Sequence, residues 1–158
     1  MGGVHLPSPL RLFRIVATAE AVTWTLLVVG MVLKYVTKTT ELGVRVGGML
    51  HGVVFIAYVL TCVALWVDQR WSPRTALTAL ASAIPPWLTL WFERRVERDH
   101  LVGQQWRLGA GGQRPTSAPE RVLAAALARP LLGLVVALVG IAAVTAVLLL
   151  VGPPVPKS

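Results

Sequence analysis

Apolar stretches of helix length alternate with short charged segments along this chain. The longest uncharged stretch follows Arg45 and runs for 22 residues, from Val46 to Val67. A helix needs about 20 consecutive apolar residues to cross the hydrocarbon core of a bilayer. This stretch therefore predicts a membrane-spanning helix. It contains one ionisable imidazole, His51, and an ionisable group at that depth is a candidate functional site.

Similar stretches predict four spans, at about 12–34, 43–67, 73–92 and 130–151. The polar turn at 37–43 and the tight loop at 68–74 make the first three helices antiparallel neighbours. Ser72 suits the N-cap and Pro73 the first turn of the third helix. The predicted fold class is all-α: a polytopic membrane protein with a three-helix transmembrane meander and a fourth transmembrane helix.

The chain divides into five segments: an irregular N-terminus at 1–10, the three-helix unit at 11–98, a flexible basic linker at 99–120, a short surface helix and the fourth transmembrane helix at 121–152, and a proline-rich tail at 153–158. The linker is rich in Gly, Pro and Ser, a composition with little capacity to fold. We therefore expect it to be flexible.

Composition excludes several classes of protein. Of the residues, 55% are hydrophobic and 14% charged, which is too apolar for an ordinary soluble domain. The net charge of +8 fits basic membrane-protein loops, and no basic helix or aromatic platform supports a nucleic-acid partner. The single cysteine, Cys62, excludes an intramolecular disulfide. The N-terminal apolar segment is too long for a signal peptide and is interpreted as a retained span.

The distribution of Lys and Arg predicts an orientation in the membrane. With four spans, ten basic residues fall on the side that holds the 34–45 and 93–129 segments, and five fall on the other side. That count places these segments in the cytoplasm and both termini outside. Arg11 and Arg14, beside the first span, argue for the opposite orientation.

Helix rise, about 1.5 Å per residue, gives a depth for each polar side chain inside the spans. Glu20 is predicted to lie in one mid-membrane layer with three other residues: Thr61, Cys62 and Ser82. His51 falls about ten residues nearer the cytoplasmic edge, which disfavours a direct bond between His51 and Glu20. Glu20, His51, Thr61 and Ser82 form the candidate intramembrane polar site.

Each ionisable group in this site has structural and functional interpretations. Glu20 is either a neutral acid bonded to Thr61 or to a helix carbonyl, or a group that handles a proton or a cation. His51 is a packing residue bonded to Glu93 or to a carbonyl, a proton relay, or an axial haem ligand. A lone His weakens the haem interpretation, so no cofactor and no metal are predicted.

Charged residues are expected to crowd the cytoplasmic edge: Lys34, Arg45, Glu93, Arg94 and Glu97. Such a cluster serves as an ion-paired anchor or holds anionic lipid headgroups. Other residues are expected to shape the contacts between helices: Gly48, Gly52, Pro85, Pro86, Gly133 and Gly140. Gly48 and Gly52 form a small-xxx-small pair that permits close helix contact, and the two prolines kink or break the third helix.

Four stretches together resemble a known family: AEAVTWTLLVVGMVLKYV, GGMLHGVVFIAYVL, DQRWSPR and IPPWLTLWFERRV. In order and combination they are similar to the YdzA-like small integral membrane proteins of bacteria, catalogued as a domain of unknown function (number 3817). The resemblance covers about residues 11–98 and rests on these residues: Lys34, Tyr35, His51, Gly52, Tyr58, Arg70, Trp71, Pro85, Glu93, Arg94 and Arg95. It implies a fold unit and a bacterial inner membrane, and no reaction.

The sequence favours a non-catalytic membrane module, since no nucleophile–base pair or metal cluster is visible. Such a module associates with itself or with a larger membrane protein, surrounded by membrane lipids. The second hypothesis is a small oligomeric transporter or channel with Glu20 and His51 on a proton or cation path. A third is a b-type haem subunit that uses His51 from two protomers.

Overall fold

The computed structural model describes residues 6–151, with side chains at all of these except 148, 149 and 151, and this part of the chain contains helices and no strand. The predicted tail at 153–158 and the first five residues lie outside the described range. The helices are α1 (Pro9–Met31, continued by a π-helix over Val32–Val36), α2 (Leu42–Gln69), α3 (Pro73–Ala81), α4 (Leu88–Arg98), α5 (Ala118–Ala128) and α6 (Pro130–Val151). The all-α prediction is confirmed.

Three helices within residues 6–151 are long and apolar enough to cross a membrane: Pro9–Val36, Leu42–Gln69 and Pro130–Val147. They correspond to the first, second and fourth predicted spans. The first two contain 28 residues each, about 42 Å at the rise of an α-helix, which exceeds the roughly 30 Å hydrocarbon core.

The two long helices α1 and α2 form an antiparallel hairpin in close contact. At Gly43 an added Cβ would lie 2.9 Å from Gly30 Cα, and at Gly47 it would lie 3.1 Å from the carbonyl carbon of Leu26. Side chains would therefore force the helices apart at these levels. Gly43 and Gly47 are themselves a small-xxx-small pair, the pattern that brings membrane helices together.

The third predicted span is wrong, because α3 and α4 form a re-entrant hairpin that enters the bundle and returns to the end from which it started. The contacts of α1 show this path. Near the start of α1, the ring of Phe13 lies 6.0 Å from that of Phe92. Further along, the carbonyl of Ala17 lies 3.4 Å from Thr89 Oγ1. Further still, Trp24 Nε1 donates to Ala83 O at 3.2 Å. Residue numbers rise along α1 while those of its partners fall.

The two arms of this hairpin are too short to span. With 9 and 11 residues, α3 and α4 are about 14 and 17 Å long, roughly half a bilayer core each. The chain reverses at Ser82–Trp87 instead of crossing, and the contacts with α1 described above hold the two arms in this arrangement. The sequence-based prediction of the α3 start is correct, since Ser72 Oγ accepts from Thr75 N and Pro73 opens the helix.

The break between the arms follows from Pro85 and Pro86, which have no backbone N–H to continue a helix. Trp87 completes the reversal with a left-handed backbone conformation, φ 63°. Carbonyls freed by such a break need other donors inside a membrane. The hydroxyls of Tyr58 and Ser82 donate to Ala79 O, at 3.2 and 2.7 Å. The indole N–H of Trp24 donates to the carbonyl of Ala83.

The re-entrant path defines two ends of the bundle. The first end contains the start of α1, the end of α2, the start of α3, the end of α4 and the 99–117 segment. The second end contains the α1–α2 turn. The core between them is centred on aromatic contacts of Phe13, which lies 5.8 Å from the Tyr58 ring and packs on Phe92.

The 99–117 segment, expected to be a flexible linker, is held against the first end by hydrogen bonds. Trp71 Nε1 donates to Leu101 O at 2.7 Å, and Trp106 Nε1 donates to Pro7 O at 2.9 Å. The fully buried carboxylate of Asp68 accepts from the backbone N–H of Arg107 at 3.1 Å and of Leu108 at 3.0 Å. These fixed partners compensate for the weak folding tendency of the Gly-rich composition.

The last two helices extend the bundle along α2. Ser117 caps α5 by accepting from Glu120 N, at 3.4 Å, and α5 corresponds to the short helix predicted before Pro130, with its start three residues earlier. From Pro130, α6 runs along α2 past Ala57–Ala64 and leaves an apolar groove of about 370 Å³ between them. Its side chains are mostly exposed within the single chain, as expected for a helix surrounded by lipid.

Candidate functional site

The candidate site lies where the returning arm of the hairpin meets the middle of α1. Glu20 is fully buried there, and its Oε2 lies 2.8 Å from Thr89 Oγ1 on α4. Oε1 of the same carboxyl is buried and has no hydrogen-bond partner among the described residues. Glu20 therefore connects the first span to the hairpin, with half of its hydrogen-bonding capacity unused.

His51 lies closer to Glu20 than the sequence suggested. Its Nδ1 is 3.3 Å from Thr23 Oγ1, and that hydroxyl donates to the carbonyl of Glu20 at 3.0 Å. With the Thr23 proton used in this second bond, the first bond requires the form of His51 that carries a proton on Nδ1. The chain of bonds runs from the imidazole to the main chain of Glu20, and the Trp24 ring lies 4.4 Å from the imidazole.

The prediction that separated His51 from Glu20 by about ten residues of depth is wrong. It placed the centre of the α1–α2 turn near Thr40. In the structure α1 continues as a π-helix to Val36, so the helices pair Gly30 with Gly43 and Thr23 with His51. The separation is about three residues, or roughly 4.5 Å at helical rise.

Ser82 lies at the hairpin tip, where it supports the backbone. Its Oγ is 2.9 Å from the Tyr58 hydroxyl and donates to Ala79 O. Thr61 is absent from this cluster, because its hydroxyl donates to Ala57 O of its own helix at 2.8 Å. The predicted layer of Glu20, Thr61 and Ser82 is thus wrong at Thr61, and the hydroxyl that reaches Glu20 comes from Thr89.

The predicted cytoplasmic-edge cluster is divided between the two ends of the bundle. At the second end, Lys34 Nζ lies 3.4 Å from Glu41 Oε1, and Arg45 is exposed nearby in the first turn of α2. At the first end, Glu93 and Glu97 both pair with Arg14, the Glu93 contact measuring 3.3 Å.

Arg94, also expected in that cluster, is exposed at the first end. The cluster was predicted on the assumption that the third span crosses the membrane. Because the hairpin returns instead, every charged residue of α4 lies at the far end of the bundle from Lys34 and Arg45. The two groups therefore cannot form one site.

The glycines expected to make the helix contacts are mostly in open positions. An added Cβ at Gly48 would lie 3.8 Å from Leu27 Cδ1, and at Gly52 or Gly140 it would meet nothing within 4 Å. Gly133 is the exception, since a Cβ there would lie 2.8 Å from Ala126 O at the α5–α6 turn.

A second polar network, outside the spans, holds the first end together. Glu120 Oε1 accepts from Arg107 Nη2 at 2.7 Å and from Arg70 Nε at 3.2 Å, and Oε2 accepts from Thr116 N at 2.7 Å. The Thr116 hydrogen bond, together with the two guanidinium groups, lowers the pKa of Glu120 to about 2. Arg107 also donates to the carbonyls of Val67 and Asp68 at the end of α2.

This network and the Thr89 contact went unrecognised in the sequence. Thr89 sits three residues after Pro86, and Arg107 lies in a Gly-rich stretch, so neither carries a local motif. A buried acid such as Asp68 at the end of an apolar run was the available signal, because buried charges need partners nearby.

Comparison with known proteins identifies the family. Residues 10–98 match the family model described as "Domain of unknown function (DUF3817)", which is more than half of the chain. The chain belongs to this family. The matched range ends at the last residue of α4, so the DUF3817 unit comprises α1, α2 and the re-entrant hairpin, and the likeness drawn from the sequence is confirmed.

A relative in Streptomyces coelicolor is named "Putative membrane protein SCO5905". It is 48% identical over 85 residues, which cover 53% of this chain and 10% of the relative. The chain thus spans about a tenth of that protein's length. No solved structure matches the chain.

Proposed function

We propose that this protein is a non-catalytic integral membrane module that associates with a second copy of itself through the tip of its re-entrant hairpin. The observation that carries the proposal is the exposure of irregular backbone at mid-depth. Residues 82–87 turn beside Trp24 and Thr25, and Trp87 Nε1 donates to Thr25 Oγ1 at 2.9 Å. That level is about 24 Å along a first span of about 40 Å.

Non-helical backbone at membrane depth is tolerated where protein or a water-filled cavity covers it, and not where it faces lipid. In the single chain, Ile84 is 69% and Trp87 49% exposed. The tip therefore needs a cover, and a second copy supplies one through a symmetric contact between identical surfaces.

The module interpretation gains support from the family comparison. In the S. coelicolor relative, the similar region is a tenth of the protein, so a DUF3817-like unit occurs there joined to a far longer chain. A compact unit that occurs within a larger membrane protein is typical of a packing or accessory element.

A non-catalytic role agrees with what the polar side chains do near the tip. The imidazole of His51 bonds the Thr23 hydroxyl, which donates to the carbonyl of Glu20. The hydroxyls of Tyr58 and Ser82 donate to the carbonyl of Ala79. These groups satisfy main-chain acceptors, the role such side chains have in helix packing within membranes.

The same proposal includes a multi-pass orientation in the bacterial inner membrane, with the first end in the cytoplasm. Eleven basic residues lie at that end: Arg11, Arg14, Arg70, Arg74, Arg94, Arg95, Arg98, Arg107, Arg114, Arg121 and Arg129. At the second end, the described residues include Lys34, Lys38 and Arg45. This distribution keeps the segment after α4 in the cytoplasm, as expected with four full spans, and moves the 34–45 turn to the outside and the start of α1 to the cytoplasm. A basic surface of this kind attracts anionic lipid headgroups.

Cysteine crosslinking in native membranes tests the self-association. In a Cys62→Ala background, Ile84→Cys places a thiol at the exposed tip, and Val136→Cys, 62% exposed on α6, is the matched control. We expect oxidation to trap a dimer of Ile84→Cys in much higher yield than of Val136→Cys. Equal yields, or a crosslink from Ile84→Cys to a different protein alone, would contradict pairing through the tip.

Proton- or cation-linked transport is the second candidate, favoured by the meeting of a broken helix with a buried acid at mid-depth. Reconstituted protein would then move protons or cations across liposomes, and Glu20→Gln would abolish that flux while the dimer persists. Flux at the level of empty liposomes in the wild type removes this candidate.

A further inference from the structure

The carboxyl of Glu20 is held in a pocket that suits an acid better than an anion. The side chain has no exposed surface, one oxygen faces Thr89 Oγ1 at 2.8 Å, and the other is buried without a partner among the described residues. An ionised carboxylate has about four acceptor sites to satisfy, and leaving a buried charge unpaired costs several kcal/mol.

The surrounding elements bring no cation to this carboxyl. Titratable or charged side chains near this layer come from three helices: His51, Tyr58 and Cys62 on α2, Glu93 on α4 and Arg14 on α1. Arg14 is engaged by Glu93 and Glu97, and His51 by Thr23. An ionised Glu20 would therefore have two neutral donors in reach, the Thr89 hydroxyl and the Trp24 indole N–H, and the indole is already engaged by Ala83 O.

A neutral Glu20 fits the same atoms. When Oε2 carries a proton, it donates to Thr89 Oγ1 at 2.8 Å, and the Thr89 hydroxyl donates onward to Ala17 O at 3.4 Å. Both hydroxyl protons then have acceptors, and Oε1 is a carbonyl oxygen without charge. Leaving a neutral acceptor unpaired costs far less than leaving a buried charge unpaired.

We infer that Glu20 and Thr89 form a proton-binding site, in which the bound proton closes the re-entrant hairpin onto α1. With the proton in place, Glu20, Thr89 and Ala17 make one continuous line of hydrogen bonds from α1 to α4 and back. Loss of the proton leaves a buried charge with too few donors, and it turns the one Thr89 hydroxyl proton toward Glu20 Oε2, so the bond to Ala17 O is lost. The site depends on contacts within one chain, so it is independent of pairing between tips.

Infrared spectroscopy of the protein in liposomes at pH 7 tests this assignment. A protonated carboxylic acid shows a carbonyl band that a carboxylate lacks, and exposed Glu and Asp side chains are ionised at this pH. We expect the band in the wild type and in Glu93→Gln, a control that removes an ion-paired acid of α4, and no band in Glu20→Gln. A wild type without the band, or a band that survives in Glu20→Gln, would overturn the inference.

Two further spectra keep the test decisive if Glu20→Gln fails to fold. Thr89→Val removes the acceptor of the Glu20 proton, so the band should move to higher frequency; an unmoved band would show that the acid lies elsewhere. Wild type measured in sodium chloride and in choline chloride should give the same band. Loss of the band in sodium alone would identify a cation site and overturn the assignment of the proton as ligand.

Discussion

Thr89 Oγ1 on α4 lies 2.8 Å from Glu20 Oε2 on α1, although 69 residues separate them in the chain. This contact joins the returning arm of the hairpin to the middle of the first span. It places the one acid inside a predicted span next to the one interrupted helix among residues 6–151. The hairpin and the buried acid are therefore parts of a single structural unit.

Removing the hydroxyl of Thr89 should loosen that unit. Thr89→Val keeps the shape of the side chain and leaves Glu20 without its partner, a change that costs about 1–3 kcal/mol for a buried polar group. We expect a lower unfolding temperature in detergent. Thr78→Val is the control, since the Thr78 hydroxyl bonds a carbonyl of its own helix, Arg74 O, at 2.8 Å. Equal unfolding temperatures for the two variants would contradict this role of Thr89.

Glycine substitutions should separate the α1–α2 contact from open surface. Gly30→Ala places a Cβ against the backbone of Gly43, so the helices must shift and the fold should lose about 1–3 kcal/mol or more. Gly52→Ala meets nothing within 4 Å and should be neutral or slightly stabilising in a helix. Unfolding in a detergent titration measures both. If Gly30→Ala is as stable as Gly52→Ala, the close helix contact is wrong.

The first end should depend on pH through Glu120. Its pKa is about 2 in the folded protein against an ordinary value of 4.5. The folded state therefore binds fewer protons than the unfolded state between these values, so the stabilisation is complete above pH 4.5 and is lost as pH falls toward 2. Protection from hydrogen exchange in residues 104–117, measured relative to the intrinsic rate of each amide at the same pH, should therefore fall as the pH decreases over this interval.

The matched variants for this prediction are Glu120→Gln and Glu41→Gln. Glu120→Gln should show lower protection at neutral pH, and its protection should change little between pH 4.5 and 2. The side chain of Glu41 is 69% exposed and is paired with Lys34 at the other end. Glu41→Gln should therefore leave the protection of this segment unchanged. A pH dependence that persists in Glu120→Gln would show that other groups hold the segment.

Local sequence signals were enough to predict the long helices. Apolar runs predicted α1, α2 and α6, and Ser72 with Pro73 predicted where α3 begins. These signals suffice because a spanning helix satisfies its own backbone and needs only length and hydrophobicity.

The path after α3 depended on contacts that no local pattern shows. Pro85 and Pro86 predicted a break, but a kinked span and a reversal are equally compatible with two prolines. The reversal is favoured because Trp24 and Tyr58, distant in sequence, supply donors to the freed carbonyls at the tip. Assuming a straight crossing placed Glu93 beside Lys34, whereas the reversal places them at opposite ends of the bundle.

The candidate site was predicted in part for the same reason. Glu20 and His51 were recognised because ionisable groups are rare inside apolar runs. Their partners were not recognised, because partner choice depends on helix register. The π-helix at Val32–Val36 shifts that register by several residues relative to a turn centred on Thr40, and brings Thr23 to His51.

The re-entrant hairpin is tested most directly by labelling two single cysteines from opposite sides of the membrane. In a Cys62→Ala background, Lys38→Cys marks the α1–α2 turn and Gln105→Cys marks the segment after α4. The structure places these two cysteines at opposite ends of the bundle, so a membrane-impermeant maleimide should reach them from opposite sides. With the proposed orientation, it labels Lys38→Cys alone in intact cells, and Gln105→Cys reacts after the membrane is permeabilised. Labelling of both cysteines from the same side would mean that residues 73–98 cross the membrane, and would contradict the hairpin.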